Sequence, residues 1–311
     1  MNRTIMFNHA LVIAAIALST SAGCQDEYTN APFLADARFV AAAPSAGSLR
    51  IALAAPRALP NALVDVEALS EGYRLTRQVT LGLNAVALPL LHDIDDLVAS
   101  PPSERTATTR RWRPAPHALD PLEAEFAMVE EGSSFRYALT QGRRGAAAAP
   151  TTVVSGAFAP SAEGGAGALT LELGLAAGLV GGPERGRIAV GYAFAGDALV
   201  LELGFEAVSF DGEAPADLDY RYERTAAGDG ILDFAAVDES GAPFQVKSRW
   251  RADGAGRLDA RVTRDGVTIL SSECWDAAFL AVFAESGGAA VGDPAACAFP
   301  TAAYPEVVAE P

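Results

Sequence analysis

The chain has 311 residues, half of them apolar, and carries 39 acidic against 23 basic side chains for a net charge of −16. A balance this acidic repels phosphate backbones, so nucleic acid is excluded as a partner. Past the first 23 residues no stretch reaches the ~20 apolar residues of a transmembrane helix, and the apolar content suits one large β-rich domain.

Residues 1–23 read as an export leader. Arg3 supplies positive charge, Ala10 to Leu18 is an unbroken small-apolar run too short to span a bilayer, and Ser19 to Gly23 are small. Cys24 follows Ala22-Gly23 directly. This order resembles the lipobox of bacterial lipoproteins, with Ser21 where that family usually has Leu. The resemblance implies cleavage before Cys24, diacylglyceration of its thiol and acylation of the new amino terminus. The alternative is plain export with Cys24 unmodified. The expected location is the cell envelope, anchored by lipid to the outer membrane of a Gram-negative bacterium, with the membrane as partner.

Residues 24–48 are polar and then rich in Ala and Pro, which predicts a flexible tether; 49–300 would form one domain and 301–311 a loose tail. Tyr73 to Val98 is the one long helical pattern. Leu75, Val79, Leu83, Val86, Leu90, Ile94 and Leu97 draw one apolar stripe, Pro89 should kink or split the helix, and Pro101-Pro102 ends it.

From Leu122 the period changes to two. Strands are expected to begin at Leu122, Ser134, Thr151, Ala168, Gly186 and Ala198, and again at Asp217, Ile231, Phe244, Arg257 and Thr268. Leu175 to Val180 reads as a short helical turn and Asp276 to Ala284 as a short final helix. Leu218, Tyr220 and Tyr222 alternate with Asp217, Asp219, Arg221 and Glu223, and the next strands repeat this, so opposite charges would pair across an outer face. The fold class is therefore α+β: a curved, mostly antiparallel sheet, half-barrel or barrel-like, packed around one long helix.

Export places Cys274 and Cys297 in an oxidising space. A disulfide between them closes a loop of about 24 residues, for roughly 3 kcal/mol of chain entropy. A metal site lacks partners, because past the leader only His92 and His117 remain. Ser272-Glu273-Cys274-Trp275-Asp276-Ala277-Ala278-Phe279, a Gly-rich loop and Ala296-Cys297-Ala298-Phe299 resemble the close of uncharacterised lipoproteins typical of myxobacteria. Residues 70–102 and Arg111-Trp112-Arg113-Pro114 extend the likeness. That family implies localisation, the disulfide and a helix-plus-sheet fold, and no activity.

Other constellations point to structure rather than chemistry. His92 and Asp96 share a helix face, but so charged a segment is solvated. Asp211, Glu213, Asp217 and Asp219 lack the spacing of an EF-hand. Arg110-Arg111-Trp112-Arg113 reads as a buried Trp flanked by solvated arginines that pair with local acids. With no nucleophile elbow and no His-Glu-x-x-His helix, the expectation is a non-enzymatic protein without catalytic residue, metal or cofactor. A lipid or other hydrophobic ligand would sit on the concave apolar face, against Leu90, Ile94 and Leu97 from the helix and Tyr220, Phe244 and Trp250 from the strands, as in half-barrel lipid carriers, a likeness of architecture only. The alternative is a structural or protein-interaction module at the envelope surface whose own side chains fill that space.

Overall fold

A computed structural model describes residues 30–54, 69–114, 121–209, 216–237, 242–264 and 266–305. The leader, Cys24, His117, Asp211 and Glu213 lie outside the described residues. Fifteen strands form one antiparallel sheet in sequence order, open rather than closed, with β1 and β15 as its edges. The strands are β1 (Glu104–Arg105), β2 (Thr109–Trp112), β3 (Leu122–Glu131), β4 (Ser134–Arg143), β5 (Thr151–Ser161), β6 (Gly164–Glu172), β7 (Arg185–Ala195) and β8 (Ala198–Ser209). They continue as β9 (Ala216–Arg224), β10 (Gly230–Val237), β11 (Pro243–Trp250), β12 (Gly256–Arg264), β13 (Val267–Trp275), β14 (Ala281–Ser286) and β15 (Ala289–Gly292). Helices α1 (Ala31–Ala42), α2 (Ala46–Leu49) and α3 (Glu71–Val98) pack on one face, and α4 (Leu173–Val180) interrupts the run between β6 and β7. The α+β class and the curved antiparallel sheet read from the period-two pattern are what the chain forms.

The start of α3 is built by both local and distant chemistry. The Ser70 hydroxyl accepts from the Tyr73 N–H at 3.1 Å, and the Glu273 carboxylate on β13 accepts from the N–H groups of Glu71 and Gly72 at 3.0 Å each. These donors have no partner inside a helix, and a carboxylate there also meets the positive end of the helix dipole. Gly72 lets the helix approach the sheet: a methyl group at that position would stand 3.2 Å from the Leu258 Cβ.

The helix runs through Pro89 as one element rather than splitting, with Pro89 on the exposed side. Leu83, Leu90, Ile94 and Leu97 are buried as the stripe requires. In the first half the sheet-facing line is instead Tyr73, Thr76 and Thr80, while Leu75 and Val79 are half-buried at its margin. Short side chains win there because helix and sheet are close; the Thr76 and Ser248 hydroxyls meet at 2.7 Å.

Three expectations are corrected. The tether over 24–48 is helical from Ala31, and Phe39, Ala42, Ala46 and Leu49 are buried, because apolar residues at helical spacing find a core to cover. The final helix over 276–284 is a turn followed by strand β14. The Asp276 carboxylate accepts from the N–H groups of Ala278 and Leu280, and Phe279, at φ +66°, turns its ring onto Tyr73 at 4.4 Å. The loose tail is held as far as Pro305: the Ala303 N–H donates to Asp259 at 2.9 Å and the Tyr304 hydroxyl meets Ser272 at 3.0 Å.

Candidate functional site

Alternation along the strands sorts side chains onto two very different faces. The helix-facing side carries the bulk: Phe126, Leu139, Leu171, Ile188, Tyr222 and Trp250 are all buried. Glycines on these strands are roofed by aromatic rings from their neighbours. A methyl at Gly156 would overlap the Tyr137 ring, at Gly167 that of Tyr192, and at Gly230 the Trp250 indole. The Tyr137 and Tyr192 hydroxyls meet at 3.1 Å, and burial pushes both above the ordinary phenol value.

Of the six residues read as a ligand face, five belong to this packed side alone, which is a correction, while Tyr220 packs there and also lines a trough on the opposite face. Leu90, Ile94, Leu97 and Trp250 are buried, while Tyr220 and Phe244 are half-buried and pack against the same core. Phe205, Tyr220, Phe234 and Phe244 form a continuous row of ring contacts, with successive centroids 5.3, 6.0 and 6.4 Å apart. These rings fill the space that would otherwise be a pocket.

The concavity lies on the opposite face. A trough of about 1500 Å³ spans β3 to β11 on the side away from the helices. One row of its floor runs Ala138, Ser155, Thr170, Ala189 and Gly204, each directly opposite the next. A second runs Ala157, Ala168 and Gly191. Side chains this short leave the floor near the level of the backbone, with room above it. A methyl added at Gly191 would touch nothing nearer than the Glu202 Cβ at 3.8 Å.

Past the small residues the same face becomes charged and alternates in sign from strand to strand. Glu202, Arg221, Asp233, Lys247 and Asp259 stand opposite one another in register. Arg221 pairs with Glu202 and with Glu223, and its hydrogen bond to Glu223 leads the effects that raise its guanidinium above the ordinary value. Lys247 reaches Asp233 at 3.1 Å. The cross-strand pairing expected on the outer face is therefore present and makes the β8–β11 end of the trough polar; Glu131 and Arg136 line its other end, and the floor between them carries small side chains. Such a surface suits a ligand with an apolar body and a polar end. Its acids and bases are engaged with one another.

The remaining residues have structural places. His92 is exposed, 3.9 Å from Asp95, whose carboxylate accepts from the Ala46 N–H at the start of α2. Asp93 accepts from the Gln141 amide at 2.8 Å, and burial raises its pKa. Asp217 accepts from the Ala207 N–H where β8 bulges. Trp112 is buried and Arg111 and Arg113 pair with Glu125, as expected, but Arg110 is itself buried on Asp36. Among the described residues no three His, Cys, Asp or Glu side chains cluster as metal ligands, and no helix is long and apolar enough to cross a membrane. Cys274 and Cys297 are joined as a disulfide. The small floor left a faint trace in the sequence: alanine, glycine and serine at alternate positions opposite large apolar neighbours.

Fold and site together define an α+β protein whose open antiparallel sheet is filled by helices on one face and troughed on the other. Compared with known proteins, the chain matches no family model, no curated sequence and no solved structure.

Proposed function

We propose that this is a lipid-anchored, non-enzymatic protein of the cell envelope that holds a chain-like hydrophobic ligand in the trough. The anchor reading rests on Ala22-Gly23-Cys24 after the apolar run, with the outer membrane of a Gram-negative bacterium as its location. The ligand reading is carried by one observation, the small-residue floor of a trough of about 1500 Å³. Pockets for compact small molecules occupy roughly 300–1,000 Å³, so an elongated occupant fits this one better. The apolar body would lie over Ala157, Ala168 and Ala189, with its polar end beside Arg221 and Lys247.

The packing of Leu90, Ile94 and Leu97 favours a second reading, a structural or interaction module with a self-filled core. One experiment separates the two. Full-length protein purified from membranes is extracted with organic solvent and the extract analysed by mass spectrometry. A lipid present near one per chain, beyond the protein's own acyl groups, supports the carrier; its absence, with no uptake of a fluorescent fatty acid, supports the module.

A further inference from the structure

Helix α1 carries apolar side chains on two sides, and the fold uses only one of them. Phe39 and Ala42 face the core, where the Phe39 ring meets Phe135 at 5.1 Å. Phe33 and Leu34 point the other way and are 71% and 70% exposed. Ala37, Val40 and Ala41 continue that exposed side at helical spacing. Together these side chains make one apolar strip along the helix, widest at Phe33 and Leu34.

Two observations indicate what covers it. First, Asn30 stands only six residues after Cys24, so extended chain allows at most about 20 Å between the helix start and the cysteine. Second, the charge around α1 is nearly balanced in a chain of net −16. Asp36 is bound by Arg105 and Arg110, and Arg38 pairs with Glu130. This corner therefore does not repel an anionic lipid surface as the rest of the molecule does.

We propose that the outward face of α1, with Phe33 and Leu34 at its head, seats in the interfacial layer of the membrane that carries the lipid anchor. The inference rests on the lipidation reading and adds that the domain is held against the bilayer rather than swinging free on the lipid. Apolar helix faces bury themselves at the headgroup boundary in this way, and the attachment adds to that of the lipid chains on Cys24.

The test exploits the burial of Trp112, Trp250 and Trp275, each 0–1% exposed and so shielded from quenchers in lipid. Full-length protein from membranes, with acylation checked by a palmitate analogue, is reconstituted into phosphatidylcholine–phosphatidylglycerol vesicles containing brominated lipid. Phe33→Trp and Leu34→Trp should each show blue-shifted emission quenched at least two-fold more than wild type. Acylated protein whose new tryptophans stay unquenched would overturn the seating while leaving the anchor intact. Unquenched tryptophans, together with a Phe33→Cys variant that forms disulfide-linked dimers on oxidation, would assign the face to a second chain instead. Absence of palmitate label would remove the anchor reading and this inference with it.

Discussion

Arg257 and Asp259, two residues apart on β12, form an ion pair sealed from solvent: Nε donates to Oδ1 at 2.7 Å, with side chains 3% and 0% exposed. The pair is complete only because distant chain reaches it. Ser272 donates to the same oxygen, while Arg249 and the Ala303 N–H donate to Oδ2. Arg249, Arg251 and Arg257 in turn donate to carbonyls of Thr301, Ala298 and Phe299. One buried carboxylate thus ties β11, β12 and β13 to the segment after Cys297.

Removing that carboxylate should be costly, since it strands the buried Arg257 guanidinium and takes the ion partner of the half-buried Arg249. Asp259→Ala is expected to lose about 3–5 kcal/mol in urea unfolding. Hydrogen exchange should show residues 298–305 opening in this variant. Retention of wild-type protection there would mean that the disulfide alone holds the segment.

The Cys274–Cys297 bond spans 23 positions. Non-reducing peptide mapping of the purified protein should recover the two peptides joined. Cys297→Ser should lower stability by about 2–4 kcal/mol, because the unfolded chain regains the freedom of that loop.

The two faces of the sheet should answer oppositely to added bulk. Gly230→Ala pushes a methyl into the Trp250 indole and should destabilise by about 1–3 kcal/mol. Leu90→Trp should do the same, because Leu90 lies in the filled core. Gly191→Leu meets open space and should keep near wild-type stability while lowering lipid uptake. Unchanged uptake in Gly191→Leu, with the protein folded, would place the ligand elsewhere.

Asp36 gives an acid-side signature. Burial acts to raise its pKa, but hydrogen bonds and charge from Arg105 and Arg110 outweigh it and hold the carboxyl below the ordinary 3.8. Its unfolded form therefore binds protons more readily than the folded form. The stability it contributes is present above pH 3.8 and is lost as pH falls through the lowered value. Asp36→Asn should be less stable than wild type at neutral pH, and the gap should narrow in unfolding curves taken toward that acid range. A gap independent of pH would assign Asp36 a purely steric role.

Much of the scaffold was legible because it follows from local period. The change from 3.6 to 2 at Leu122 located β3 to β13, and the alternation at Asp217–Glu223 foretold the ion pairs of Arg221. Strand β14 was not legible, since the Asp276 turn that launches it depends on Phe279 finding Tyr73 on helix α3. The ordered helix at Ala31 was missed for the same reason: its residues look like a linker until Phe135 offers Phe39 a place to pack.

The candidate site divides along the same line. Sequence alone determined that the strands have one bulky and one lighter face, because side chains of an extended chain point alternately up and down. It also pointed to Cys274 and Cys297 as the pair that the fold joins. Which face would be hollow was decided only by tertiary structure. Helix α3 and the ring row from Phe205 to Phe244 cover much of the bulky side with packed side chains. The Ala and Gly rows have no side chains long enough to close the other side, and so the space remains there.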